Sequence, residues 1–201
     1  MNPRVYNKNT IEFITVCKEF VAFCEDLSPY DALKTATILH RLLPLIYLKT
    51  SLLPTFELQD NFLEEAVSED IYNLIAQSFQ EKFGEMDLEG ELYENSSTLN
   101  ERNTAPLSEI ITDIYQDLKN VLSNYQTADE SIMESALYIC KQNFELFWGM
   151  RLITAMQILH SLIFLKGEWW LDLKAKKQKN IDEIDTSKWI INQRKNHSST
   201  S

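Results

Sequence analysis

Glycine and proline are scarce in this chain, which has only 4 glycines and 5 prolines among 201 residues. Average usage is roughly 12% for the two together. A sheet-rich fold needs frequent turns, and these two residues supply many of them. Their shortage, together with 44% apolar and 11% aromatic content, favours long helices over many short strands. A domain of this length also buries enough apolar surface to fold without disulfides or metals.

Cysteine is equally sparse, and Cys17, Cys24 and Cys140 form no Cys-x-x-Cys pair. An odd number without such spacing indicates free thiols in a reducing compartment. The start MNPRVYNKNT has no apolar signal core, and no uninterrupted apolar stretch reaches the roughly 20 residues of a spanning helix. We therefore expect a soluble cytoplasmic protein without a membrane partner.

The signatures of common catalytic and cofactor sites are missing from the sequence. There is no phosphate-binding glycine loop, no HExxH, no zinc-type Cys/His spacing, no Glu-x-x-His pair and no GxSxG. The acidic run DLEGELYE has glycine at its fourth position, whereas a calcium-binding EF-hand loop needs it at the sixth. We predict no catalytic residue, metal ligand or cofactor, and the balance is against an enzyme.

Negative charge is concentrated in one quarter of the chain. Residues 55–105 carry 13 acidic and 2 basic residues, which equals the whole formal charge of −11. Such a field argues against a nucleic-acid partner and favours a basic protein partner. The alternative is a solvated acidic loop that aids solubility. The basic tail with Trp169, Trp170 and Trp189 suggests base stacking, but its small charge on an acidic body argues against it.

Apolar periodicity predicts helices along most of the chain and no convincing strand. The clearest stripe belongs to a helix over 107–125. The other predicted segments are 9–26 with Asn9 as N-cap, 28–53 with a kink or break at Pro44, 57–67, 68–84 and 128–165 with a break at Gly149. Cys17 and Cys24 lie on an apolar stripe and are interpreted as small buried hydrophobes.

The fold class that follows is all-α, a single-domain bundle of about five to seven helices. We assign residues 1–167 to the bundle and place a long acidic loop at about 85–105 within it. Residues 168–201 are predicted to form a basic, tryptophan-containing strap with a disordered end.

A few polar residues stand at unusual helical positions. On a continuous helix, Arg151 falls at the centre of an apolar face, where a buried arginine needs partners. One interpretation is a structural ion pair, or a rotation of the helix at Gly149. The other is an anion-binding pocket anchored by Arg151. Its remaining predicted members are Trp148, His40, His160 and Tyr47.

Two apolar segments carry a resemblance to a known family: RLLPLIYLKTSLLP at 41–54 and FWGMRLITAMQILH at 147–160. With IEFITVCKEFVAFCE in the first helix, the sequence resembles an uncharacterised helical family of similar size known from Bacteroidetes, catalogued as a domain of unknown function. The resemblance implies an all-helical fold and a bacterial cytoplasmic setting. It implies no catalytic residues.

The leading hypothesis is a non-enzymatic interaction module whose acidic surface binds a basic protein. The residues predicted to form that surface are Glu85, Asp87, Glu89, Glu91 and Glu94. An immunity-type inhibitor or a regulatory protein is one form of this hypothesis. The alternative is a small-anion or metabolite binder, or an enzyme, with the pocket around Arg151. The sequence does not determine the oligomeric state.

Overall fold

The structure is a computed structural model that describes residues 2–88, 105–169 and 171. These residues contain α1 (Lys8–Glu25), α2 (Ala32–Ser51), α3 (Glu69–Phe83), a 3-10 turn (Gly84–Leu88), α4 (Leu107–Tyr125), α5 (Glu130–Asn143), a π turn (Phe144–Trp148) and α6 (Gly149–Phe164). No strand occurs in the described ranges, and the all-α prediction is confirmed. Most of the predicted acidic loop lies outside them. So does the predicted strap, except residues 168, 169 and 171.

Helix α4 forms the centre of the bundle within residues 1–167, because it contacts α1, α3, α5 and α6. Its predicted bounds, 107–125, are confirmed. The apolar face that the sequence indicated is buried: Leu107, Ile110, Ile111, Ile114, Leu118, Val121 and Leu122. Helix α2 packs on α1 and α6. The opposite side of α4 carries half-buried polar residues, among them Asp113, Asp117 and Asn120.

Helix α3 begins and ends where the sequence predicted. The Ser68 hydroxyl accepts a hydrogen bond from the Ile71 N–H, and Gly84 ends the helix with a φ of 57°, a left-handed value that favours glycine. The acidic side chains of Glu69 and Asp70 lie in its first turn, where the helix dipole favours them.

The starts of α1 and α2 were predicted wrongly, and in each case another side chain forms the cap. Asn7, not Asn9, caps α1, since the side-chain oxygen of Asn7 accepts a hydrogen bond from the backbone N–H of Asn9. Asp31 caps α2, while the hydroxyl of Ser28 donates to Asp26 instead.

No break occurs at Pro44, although proline costs one backbone hydrogen bond in a helix interior. Helix α2 is continuous from Ala32 to Ser51. The packing of α2 against α1 and α6 offsets the free-energy cost of the missing hydrogen bond.

The helix predicted at 57–67 is absent, because the segment between α2 and α3 is irregular. From here on we call this segment, residues 53–68, the strap; it is distinct from the C-terminal strap predicted at 168–201. Four of its backbone N–H groups donate to side chains of the bundle instead of to a helical ladder. The N–H groups of Glu57 and Gln59 donate to Glu134 and Ser135 on α5. Those of Glu64 and Ala66 donate to Asn124 and Asn120 on α4. Long-range hydrogen bonds have thus replaced the local helical pattern.

The predicted break near Gly149 is instead a π turn in an unbroken helix. The Gly149 N–H donates to the carbonyl of Phe144, five residues back. A Cβ at Gly149 would lie 2.4 Å from that oxygen, so the wide turn requires glycine there. One extra residue in a turn changes the helical phase by about 100°. Helix α6 therefore presents different residues to α4 than an unbroken α-helix would.

The combined helix Glu130–Phe164 has 35 residues, and its most apolar window has a mean hydropathy of 1.3. Length and composition alone would let it cross a membrane. Of that window, 44% is buried inside the structure, and the core helix of a soluble protein can meet the same criteria of length and hydropathy.

Replacing Gly149 tests the π turn. Glycine-to-alanine changes in ordinary helices stabilise by roughly 0.5–1 kcal/mol. Here the new methyl group meets the Phe144 carbonyl, so we expect Gly149→Ala to lower the free energy of unfolding by about 1–3 kcal/mol. Urea unfolding followed by circular dichroism measures the change. Gln157→Ala, at an exposed position of the same helix, serves as control. A stabilised Gly149→Ala variant would contradict the steric argument.

Candidate functional site

The five residues predicted to form one pocket lie in separate places. His40 and His160 face each other across α2 and α6, with ring centroids 5.6 Å apart, and Phe164 packs against both. Burial, together with His160 and Arg41, lowers the pKa of His40. Tyr47 contacts Phe144 edge-on. Only Trp148 and Arg151 line the same cleft.

Arg151 forms an ion pair with Asp113 of α4, and each side chain is 26% exposed. The Tyr72 hydroxyl donates to the other oxygen of Asp113 at 2.8 Å. Burial, strengthened by this bond, raises the pKa of Tyr72. The carboxylate thus holds partners from α3 and α6. The interpretation of Arg151 as a structural ion pair describes this contact, and the π turn supplies the rotation that brings it there.

The cleft beside this ion pair has a volume of about 630 Å³ and lies between α4, the π turn and α6. We call it the Trp148 cleft. Asp113, Asp117, Asn143, Trp148 and Arg151 line its polar side. In the sequence, Asp113 and Asp117 are ordinary polar residues of an amphipathic helix. No local pattern in the sequence indicates that α5 and the π turn enclose them.

Asp117 of α4 is a partly buried carboxyl group that lines this cleft. Burial raises its pKa to about 6. The Asn143 amide, which donates to it at 3.1 Å, opposes that effect, while Asp113 adds to it. The indole N–H of Trp148 also faces this carboxyl and lowers its pKa. This indole N–H does not reach hydrogen-bond geometry with any described residue.

A second cleft of about 350 Å³ continues along α4 toward the strap. The two clefts share Gln116, Asp117 and Asn143, so we call them together the α4 groove. Glu64 and Glu65 of the strap also line it. Among the lining residues, these two and Asp113 and Asp117 are acidic, and Arg151 is basic. The groove is therefore negatively charged.

An apolar ledge borders the Trp148 cleft. It consists of Leu146, Phe147 and Met150, which are 65%, 65% and 63% exposed. Large side chains with this exposure beside one cleft form a patch of the kind that marks binding surfaces. The ledge belongs to the π turn and the first turn of α6, so the π turn also determines its position.

The residues predicted to form an acidic interaction surface only partly fall in the described ranges. Glu89, Glu91 and Glu94 lie outside them. Glu85 is exposed on the 3-10 turn. Asp87 is buried and accepts hydrogen bonds from the N–H and hydroxyl of Ser108, both at 2.7 Å. Pro106 offers no capping side chain, so Asp87 caps α4 from outside the helix and is not a surface residue.

No group of three or more His, Cys, Asp or Glu side chains in residues 2–88 and 105–169 is arranged to hold a metal ion. The three cysteines are buried thiols. Burial raises the pKa of Cys17, Cys24 and Cys140. Cys17 and Cys24 are thus the small buried hydrophobes that the apolar stripe predicted.

Comparison with known proteins places this arrangement in an uncharacterised group. A family model described as a domain of unknown function, DUF5063, matches residues 4–164. The solved structure of protein BF1032 from Bacteroides fragilis is similar, with a TM-score of 0.72 and 32% identity. The match covers 82% of this chain and 98% of that one. No curated protein matches. The predicted resemblance to a Bacteroidetes family is confirmed.

The cost of holding Asp117 in the groove can be measured. Its pKa is higher in the folded than in the unfolded chain, so this group lowers stability as the pH rises from about 4 through about 6. We expect Asp117→Asn to remove that penalty. At pH 7.5 the variant should be more stable than wild type by about 1–3 kcal/mol, and at pH 4 the difference should nearly disappear.

Chemical denaturation at the two pH values gives the comparison. Asp60→Asn is the matched control, because Asp60 is exposed and its replacement should change stability by less than about 0.5 kcal/mol. A destabilised Asp117→Asn variant at pH 7.5 would mean that the carboxylate is a stabilising structural group.

Proposed function

The chain belongs to the DUF5063 family, whose description assigns no activity, and we propose that it is a non-enzymatic protein-interaction module. It binds a basic, partly apolar segment of a partner protein along the α4 groove. The observation that carries the proposal is the exposed apolar ledge directly beside carboxylates that the bundle does not fully neutralise. The interaction surface thus shifts from the loop that the charge distribution suggested to the groove.

Electrostatics support a cationic partner. Arg151 is already paired with Asp113, while Asp117, Glu64 and Glu65 line the same groove without an ion pair to any Lys or Arg of residues 2–88 and 105–169. A negative concave surface attracts positive segments and speeds their encounter. The same pairing argues against the small-anion alternative, since an anion at Arg151 would have to compete with one carboxylate and approach another.

The ledge supports a protein rather than a free metal or small cation as the partner. Burying the exposed parts of Leu146, Phe147 and Met150 contributes hydrophobic stabilisation that only an apolar surface can supply. Aromatic and methionine side chains are enriched at protein interfaces. A partner segment that alternates basic and apolar residues would satisfy both parts of the groove.

We also propose the cytoplasm as the setting. In a reducing compartment the three buried cysteines remain thiols. A bacterial source agrees with the Bacteroides fragilis relative.

Site-specific photocrosslinking tests the proposal. A benzoylphenylalanine at position 147, on the ledge, is compared with one at Leu74, which is 63% exposed on α3 and does not line the groove. In a native lysate of the source cells, we expect a distinct protein adduct at 147 and none at 74. The attached peptide, read by mass spectrometry, should contain lysine or arginine near the crosslink.

Raising the salt from about 0.1 M to 1 M shortens the screening length from about 10 Å to about 3 Å, so the adduct at 147 should weaken. Equal adducts at both positions, or an adduct on an acidic segment that salt does not affect, would contradict the proposal.

A further inference from the structure

The Trp148 cleft contains a group that the bundle itself leaves unsatisfied. Trp148 is 2% exposed, yet its indole N–H has no hydrogen-bond partner among the described residues. Burying a donor without a partner costs free energy. This N–H is directed toward the carboxyl of Asp117 and lowers its pKa, so it is better satisfied when that carboxyl is ionised.

Asp117 has donors on its protein side and open space on the other. The Asn143 amide reaches one carboxyl oxygen from the end of α5, and the Trp148 indole approaches from the π turn. Asp117 lines both clefts of the groove. A carboxylate that is held by the Asn143 amide from behind and lines a cleft in front is arranged to accept a cation.

From these contacts we propose that the Trp148 cleft is the subsite that receives the cationic end of a lysine or arginine side chain of the partner, with Asp117 as its carboxylate. This inference rests on the proposed function. The charged group of the partner hydrogen-bonds to Asp117, and its methylene stem lies along Leu146, Phe147 and Met150. Ammonium and guanidinium groups are both cations that donate hydrogen bonds to a carboxylate. Small amines and guanidines used as probes distinguish between the two.

The neighbouring ion pair limits what the cleft accepts. Asp113 is occupied by Arg151 and Tyr72, so it contributes negative potential without offering a free oxygen pair. Arg151 repels a cation that approaches from the α6 side. The incoming charge is therefore directed to Asp117 and toward the Gln116 side of the cleft. Removing Asp113 would free Arg151 and make the cleft prefer anions. Removing Asp117 would only weaken the binding of the cation.

Binding of a cation should depend on pH through Asp117. The other titratable and charged groups around it are Asp113 on α4, Cys140 on α5, Arg151 on α6, and Glu64 and Glu65 on the strap. Burial raises the pKa of Cys140 well above its ordinary range, so its thiol stays neutral. With a pKa of about 6 for Asp117, the ionised fraction falls about tenfold between pH 7 and pH 5, and the affinity should fall with it.

The test is an NMR titration of the full chain, using n-butylamine and n-propylguanidine as mimics of the lysine and arginine side chains, and butyrate as the anionic counterpart. The four tryptophans give four indole N–H signals, and Trp148→Phe identifies the one from Trp148. We expect at least one cation to shift that signal saturably at pH 7, with about tenfold weaker binding at pH 5. Butyrate should leave it unchanged.

Asp117→Asn should weaken the binding of the cation by about tenfold or more, since charge-assisted hydrogen bonds are about twice as strong as neutral ones. Asp60→Asn is the control and should bind like wild type. Absence of a shift with both cations, an equal shift with butyrate, or unchanged binding to Asp117→Asn would overturn the subsite. If it fails while the crosslink at position 147 persists, the interaction module stands and the partner's charge lies elsewhere in the groove.

Discussion

The π turn at Phe144–Trp148 determines the rest of the candidate site. It exists because Gly149 has no side chain, so that the Phe144 carbonyl can approach within a distance that any Cβ would block. The extra residue changes the phase of α6 relative to α5. As a result Trp148 is buried against the core, Arg151 meets Asp113 on α4, and the ledge of Leu146, Phe147 and Met150 borders the cleft. Single π turns inside α-helices are frequent at functional sites.

Charge in the groove follows from the position of α4 in the bundle. The apolar face of this helix forms the buried centre of the bundle. Its polar face is flanked by the strap, α5 and the π turn. Enclosure is what raises the pKa of Asp117. A carboxyl group kept in such surroundings without a cation lowers stability at neutral pH. Perturbed carboxyls of this kind are concentrated at functional sites, and a cationic partner would remove the penalty.

Sequence reasoning succeeded where local pattern and tertiary structure agree. The stripe on α4, the Ser68 cap and the Gly84 stop are determined by periodicity and backbone chemistry, and each was found. It failed on the strap at 57–67, where Asn120, Asn124 and Ser135 take the backbone donors. These contacts join residues far apart in the sequence, so no local pattern predicts them.

Only part of the candidate site could be predicted, because its contacts also join residues far apart in the sequence. Arg151 stood out because it interrupts an apolar face, and the need for a partner followed from its charge. Asp117 did not, because an aspartate on the polar face of an amphipathic helix is ordinary. Its contacts with Asn143 at the end of α5 and with Trp148 in the π turn are visible only in the folded structure. An α-helical extrapolation from α5 places Arg151 about 100° from its real direction, so the partner could not be identified.

The pKa of Asp117 is the measurement that decides whether the fold holds this carboxyl group in an unfavourable environment. It can be followed by the side-chain carboxyl carbon signal in NMR, assigned with Asp117→Asn. We expect a pKa of about 6 in the free protein and a lower pKa when a cation binds. A value at or below 4 in the free protein would contradict this expectation, because the carboxylate would then be satisfied by the bundle alone.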